Sequence, residues 1–443
     1  MVTQGGTVSV SAMPERFPAT GIDMAVSITR AVTQHRIGVC LTFDERLHAD
    51  RMALAVRLSL DAEPILGCSF QTDAFKSYWR RLHDLDAVSP FALVETDDPD
   101  RDVAVFHADE VGDTGPQTAI RLFRSADRDV LAVKLSHVVA DGQGVKAYAY
   151  LLADIYTRLG TDSSYVPEPN LASRPGGRDV WAQLPPDQRR DAKKARSWAV
   201  PTWDVPFQAS SGEGVMFRST ALQPQRFALL KSYGKERGAT VNDMLLAAFF
   251  RACGRAFDPA SSVPLSLMCT ADLRRYLPDT DHLPISNISI SGSLDLERVD
   301  GETFDDTLRR VREKMGAWAK ACHGARPALK AEKMSKFGYQ VTERLLEAAF
   351  KLSARTGKTF PWFTNIGVLE ESKLSFDGRV PVAGSMYGPS AFGASIVPTV
   401  STYRNTLTIR MGFCASDIDS AVIERVLRLV DEELDHLFPR ADA

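Results

Sequence analysis

The stretch Leu131-Ala132-Val133-Lys134-Leu135-Ser136-His137-Val138-Val139-Ala140-Asp141-Gly142 joins an apolar run to a histidine, a carboxylate four residues further on, and a glycine. Histidine is the side chain whose ordinary pKa lies nearest neutrality, so an imidazole fixed at a strand end is suited to take a proton from an alcohol or amine. The glycine lets a substrate come close to the backbone. Upstream, Thr118-Ala119-Ile120-Arg121-Leu122-Phe123-Arg124 alternates as a half-buried strand does, and Ser125 to Asp129 reads as a polar turn. The motif therefore closes the second strand of a hairpin. Beyond it, Val145, Tyr148, Leu151, Leu152, Ile155 and Tyr156 recur at helical spacing up to Gly160, which predicts a helix beginning close to Gly142.

With these residues in place, the chain resembles the chloramphenicol-acetyltransferase-like superfamily. That superfamily includes condensation domains of nonribosomal peptide synthetases, polyketide-associated acyltransferases, plant BAHD acyltransferases and bacterial wax ester synthases. Ile37 to Phe43, the helix through Met52, Leu54, Ala55 and Leu58, and Glu63-Pro64-Ile65-Leu66 look like its opening strand, helix and turn. Further on, Ala239 to Leu246, Asp272-Leu273-Arg274 followed by Asn287, and Thr364-Asn365-Ile366-Gly367 resemble later anchors in the family's order. The resemblance covers nearly the whole chain. It departs from condensation domains and wax ester synthases at Ser136, where they usually carry a second histidine. The plant DFGWG loop is also absent, with Tyr387 to Gly393 in roughly its place.

The resemblance implies an α/β fold of two chloramphenicol-acetyltransferase-like sandwich subdomains with an active-site tunnel between them. Length supports two units, because 443 residues exceed what one hydrophobic core usually serves. The expected division is an N-terminal subdomain over 1–170 carrying the HxxxDG motif, a crossover over 171–214, and a C-terminal subdomain over 215–443. Pro and Gly punctuate the crossover, which holds one short charged helix from Asp187 to Trp198. In the second half, strands are expected near Val263 to Cys269, Ile285 to Ser291, Trp362 to Leu369, Ala394 to Ser401 and Thr406 to Phe413. Helices are expected at about 302–322, 328–353 and 417–437.

Composition excludes several classes of function. A net charge of −3 offers no field for nucleic acid. The start Met1 to Gly6 lacks the features of a signal peptide, and no apolar run reaches membrane-spanning length, so a cytoplasmic location without integral membrane association is expected. The six cysteines are scattered without CxxC spacing and read as reduced core residues. Cys322-His323 has no second pair, so no metal site is expected.

For function, the resemblance implies an acyltransferase, or free-standing condensation enzyme, of secondary metabolism. It would move an acyl group from a phosphopantetheine thioester to an alcohol or amine, forming an ester or amide. His137 is the expected general base. No cofactor is permanently bound: acyl-CoA or an acyl or peptidyl carrier protein is the donor substrate, with a slight lean to the carrier, because no Lys/Arg cluster stands beside a glycine-rich loop. Ser136 should point away from His137 on its strand, and no nucleophile elbow accompanies it, which weighs against a serine hydrolase. Asp141 can serve a His–Asp relay or, as the family implies, turn away to pair with Arg274; Gly142 completes this structural set. Asn287, Thr364 and Asn365 are expected along the substrate channel, although asparagine at a strand end is equally a turn or capping residue. Thr364, Ser401 and Tyr403 are the hydroxyls available to an oxyanion. The alternative from another class is a non-catalytic, condensation-like module that binds a carrier protein or lipid.

Overall fold

In the computed structural model, which describes residues 13–73, 76–109, 114–194, 201–208, 214–258, 264–280, 282–322, 324–354 and 356–437, the strand Asp129–Ser136 is buried at every position. It is flanked antiparallel by Arg36–Phe43 and by Thr118–Arg124, so both of its edges are satisfied. Phe91–Glu95 extends this sheet in parallel beyond Thr118–Arg124. At the other edge, Ala383–Tyr387 from far along the chain pairs antiparallel with Arg36–Phe43. The helices Ala49–Ala62 and Gly142–Thr161 cover one face. Met52, Val56 and Leu60 from the first helix meet Val145, Leu152 and Ile155 from the second in the core.

The second half builds a six-stranded sheet in the order Ser289–Leu296, Leu265–Asp272, Trp362–Val368, Val397–Tyr403, Thr406–Cys414, Val215–Leu222. Val241–Phe257 and Ser420–Asp435 pack on it, with Leu246, Phe249 and Phe250 against Ile423, Val426 and Val430. Thr240 and Asp243 start the first of these helices with a reciprocal capping box, which satisfies backbone N–H groups that the helix itself cannot. The architecture is a two-lobed α/β fold, and the Ala383–Tyr387 strand stitches the lobes together.

Several expected elements are placed differently. The crossover carries two helices, Gly177–Gln183 and Pro186–Lys194, where one was expected; the part of that expectation at 195–198 lies outside the described residues. The helix expected at 328–353 is broken into Ala325–Met334, a 3₁₀ turn at Ser335–Phe337, and Tyr339–Ala354. Gly338, at φ 84°, takes the positive backbone angle that separates them. The strand expected over 285–291 begins only at Ser289, because Ile285, Ser286 and Ile288 use their backbone groups on side chains elsewhere.

Candidate active site

The HxxxDG turn is held from three sides before its side chains are considered. Its strand ends with His137 N–H donating to the carbonyl of His35 at 2.9 Å, and Val139 and Ala140 N–H then turn back to the Ser136 carbonyl at 3.2 and 3.3 Å. Asn287 Nδ2 donates to the His137 carbonyl at 2.7 Å. Arg174 Nη2 supports the far side by donating to the Val139 carbonyl at 2.9 Å, while its guanidinium pairs with the buried Asp23 at 2.5 Å. Neither Arg174 nor Asp23 was singled out from the sequence, because only the fold brings residues this far apart together.

The imidazole takes its orientation from its own turn. Nδ1 lies 2.9 Å from the Ala140 carbonyl. A carbonyl only accepts, so Nδ1 carries the proton and Nε2 keeps the lone pair. Burial lowers the pKa of His137 below its ordinary value, and the Ala140 carbonyl and the charge of Asp141 offset part of that. The ring is thus held neutral at neutral pH. His35, also unmarked in the sequence reading, lies beside it; burial first, then His137 and Arg30, push its pKa down to about 3.

Asp141 makes no hydrogen bond to the imidazole among the described residues. Its Oδ1 accepts from Gly144 N–H at 2.9 Å, capping the helix Gly142–Thr161. Its Oδ2 accepts from Arg274 Nη1 at 2.8 Å, Ile288 N–H at 2.8 Å and Ser289 Oγ at 3.0 Å. Burial alone would raise this carboxyl, but Arg274 and the two N–H donors outweigh it, so its pKa stays below the ordinary carboxylate value. Arg274 also bonds Asp272 at 3.2 Å and the Ser286 carbonyl at 2.9 Å, locking the turn after Leu265–Asp272 to the motif. Gly142 has a packing reason in the structure: a Cβ there would lie 2.9 Å from the Ile366 side chain of the other lobe.

His137, Asp141 and Gly142 line a cavity of about 1000 Å³ together with Asn287, Thr364 and Asn365 from the second half. Arg274 is not among its lining residues and sits behind Asp141. Asn287 does two things: its amide nitrogen holds the motif, and its Oδ1 is buried without a partner among the described residues. Asn365 serves the turn: Gly367 N–H donates to its Oδ1 at 3.0 Å across the irregularity in the Trp362–Val368 strand. Of the three candidate oxyanion hydroxyls, Thr364 alone reaches this cavity. Ser401 is buried and accepts from Met386 N–H, and Tyr403 donates to the Pro381 carbonyl. The rest of the wall is mainly apolar, with Met24, Val26, Ile37, Met334, Trp362 and Ile366 contributing from both lobes. Among the described residues, no three His, Cys, Asp or Glu side chains cluster as metal ligands, and no helix is long and apolar enough to cross a membrane.

No protein-family model and no curated protein matches the chain by sequence. Solved structures match by shape. The first condensation domain of the calcium-dependent antibiotic synthetase, in complex with a substrate analogue, superposes with a TM-score of 0.71 at 16% identity, covering 97% of each chain. Polyketide synthase associated protein 5 from Mycobacterium tuberculosis gives 0.63 at 15% identity over 96% of this chain and 100% of that one. The epimerization domain from the third module of tyrocidine synthetase B gives 0.62 at 13% over 95% and 96%. At these identities the likeness is one of fold, and the chain has the two-lobed α/β fold of these condensation and epimerization domains.

Proposed function

We propose that this chain transfers an acyl group from a phosphopantetheine thioester to an alcohol or amine, with His137 as the general base. The observation that carries this reading is the fixed tautomer: Nδ1 is tied to the Ala140 carbonyl, so the free lone pair is on Nε2 of a ring that lines a large cavity walled by both lobes. In the proposed step, the acceptor O–H or N–H gives its proton to Nε2 as its oxygen or nitrogen bonds to the thioester carbon. The tetrahedral intermediate then expels the thiolate, which takes the proton back from the imidazolium. An acyl–sulfur bond is exchanged for an acyl–oxygen or acyl–nitrogen bond, and the imidazole is regenerated. Asp141 and Arg274 are positioning residues that hold the turn. The likeness to synthetase domains favours a carrier-bound donor over CoA.

The pH dependence has a defined sign. The base must be neutral, and burial holds His137 below its ordinary value of 6.5. The ratio kcat/KM, which reports the free enzyme, is therefore expected to be flat through neutrality and to fall only on acidification below that value. A midpoint at or above 6.5 would assign the limb to another group.

The apolar wall suits an aliphatic acyl chain. Each buried methylene is worth about 0.8 kcal/mol, or about fourfold in affinity. A series of straight-chain acyl thioesters, offered on CoA and on a carrier protein with a panel of alcohols and amines, should show kcat/KM rising about fourfold per methylene until the cavity is full. A profile that is flat or falling from the shortest chain would contradict an aliphatic donor.

A further inference from the structure

A second cavity, of about 270 Å³, shares no lining residue with the first. It lies where Arg36–Phe43 and Ala383–Tyr387 of one sheet meet the open face of Val215–Leu222 and Thr406–Cys414 of the other. Strand alternation builds its polar wall. Thr406, Thr408 and Arg410 fall on one face of their strand, with Ser219 opposite Arg410, while Leu407, Ile409 and Met411 turn into the core. From the other sheet come Thr42 and Ser385.

The hydroxyls of Thr42, Ser219, Ser385, Thr406 and Thr408 make no hydrogen bond to protein among the described residues. Each can turn its O–H toward a guest. Arg410 lies 3.7 Å over the Tyr387 ring and is hydrogen-bonded to the Tyr387 side chain, makes no ion pair among the described residues, and keeps its Nη1 buried without an acceptor. Arg404, the other arginine of the wall, is already paired with Glu371 at 2.5 Å. Among the described residues no carboxylate lines the cavity, and the acid with electrostatic reach to Tyr387 and Cys40 on this side, Asp100, is bound to Arg128 at 2.8 Å. A buried guanidinium nitrogen without an acceptor is costly, and the hydroxyls that share the cavity wall with Arg410 add donors suited to the several lone pairs of an oxyanion.

We propose that this cavity is a binding site for a small phosphate-type oxyanion, held by Arg410 and the hydroxyls and bridging the two sheets. It does not depend on the reading of the His137 cavity. The volume exceeds that of a phosphate ion alone, so inorganic phosphate and glycerol 3-phosphate are the two probes: equal affinity assigns the site to the ion, and tighter binding of the ester assigns it to a phosphorylated small molecule. Titration calorimetry on the whole chain, at constant ionic strength set with chloride, should give saturable binding of at least one probe with a dissociation constant of about 1 mM or tighter. Arg410→Met should weaken it about 10- to 100-fold. Thr408→Val, which keeps the guanidinium and the strand, should weaken it about 2- to 10-fold, so the test survives if the first variant does not fold. Absence of saturable heat with both probes, displacement by chloride alone, or wild-type affinity in the Thr408 variant would overturn the proposal.

Discussion

His137→Ala is expected to lower acyl transfer by about two to four orders of magnitude, the usual loss when a positioned general base is removed. The chain should still fold. The bonds that hold the turn run to the backbone of His137, from Asn287 to its carbonyl and from its N–H to His35, and alanine keeps both. What is lost on the protein side is the contact of Nδ1 with the Ala140 carbonyl, worth about 1 kcal/mol. Steady-state transfer rates alongside urea unfolding separate these effects. Loss of turnover with a nearly unchanged unfolding midpoint supports the base, and wild-type turnover in the variant removes it. Some residual activity is consistent with the assignment, because the cavity still brings donor and acceptor together.

The second large effect is on stability. Asp141 is 1% exposed and Arg274 15%, and each is the other's charge partner in a network that includes the backbone of Ile288 and Gly144. Removing one member of such a pair leaves a buried charge uncompensated, at a cost of about 3–5 kcal/mol. Arg274→Met should fall in this range, because Asp141 would keep only neutral donors. Asp141→Asn should fall toward its lower end, because Arg274 keeps Asp272. The double variant should lose less than the sum of the single losses, and additive losses in urea unfolding would show that the two do not act as a pair. The Asp141 variant has a second readout: its charge raises the pKa of His137, so its loss should move the acid limb of kcat/KM to still lower pH. A merely structural defect would leave that limb where it is.

Local chemistry made much of the first lobe legible. The hairpin Thr118–Arg124 and Asp129–Ser136 and the helix from Gly142 follow from alternation, a polar turn and helical spacing within one short stretch. Periodicity misled where backbone groups were used for the site. Ile285 to Ser291 alternates like a strand, yet Ile288 N–H goes to Asp141 and the Ser286 carbonyl to Arg274, so the ladder starts three residues after Ser286. The strand Ala383–Tyr387 was missed because its partner, Arg36–Phe43, lies in the other half of the sequence. For the same reason no local pattern could show Ile366 packed on Gly142, or Arg174 joining Asp23 to the motif. Among the hydroxyls, sequence offered Thr364, Ser401 and Tyr403 equally, and only burial and hydrogen bonding separate them.

Direct transfer assisted by His137, without an acyl-enzyme, is tested most directly by intact-protein mass spectrometry combined with thioester consumption. Wild-type protein is mixed with an acyl donor from the chain-length series, with and without acceptor, and quenched during turnover. The expected result is consumption of thioester and formation of ester or amide only when acceptor is present, with the protein mass unchanged throughout. A protein population heavier by one acyl group in the absence of acceptor, or no thioester consumption with any donor and acceptor pair, would contradict it.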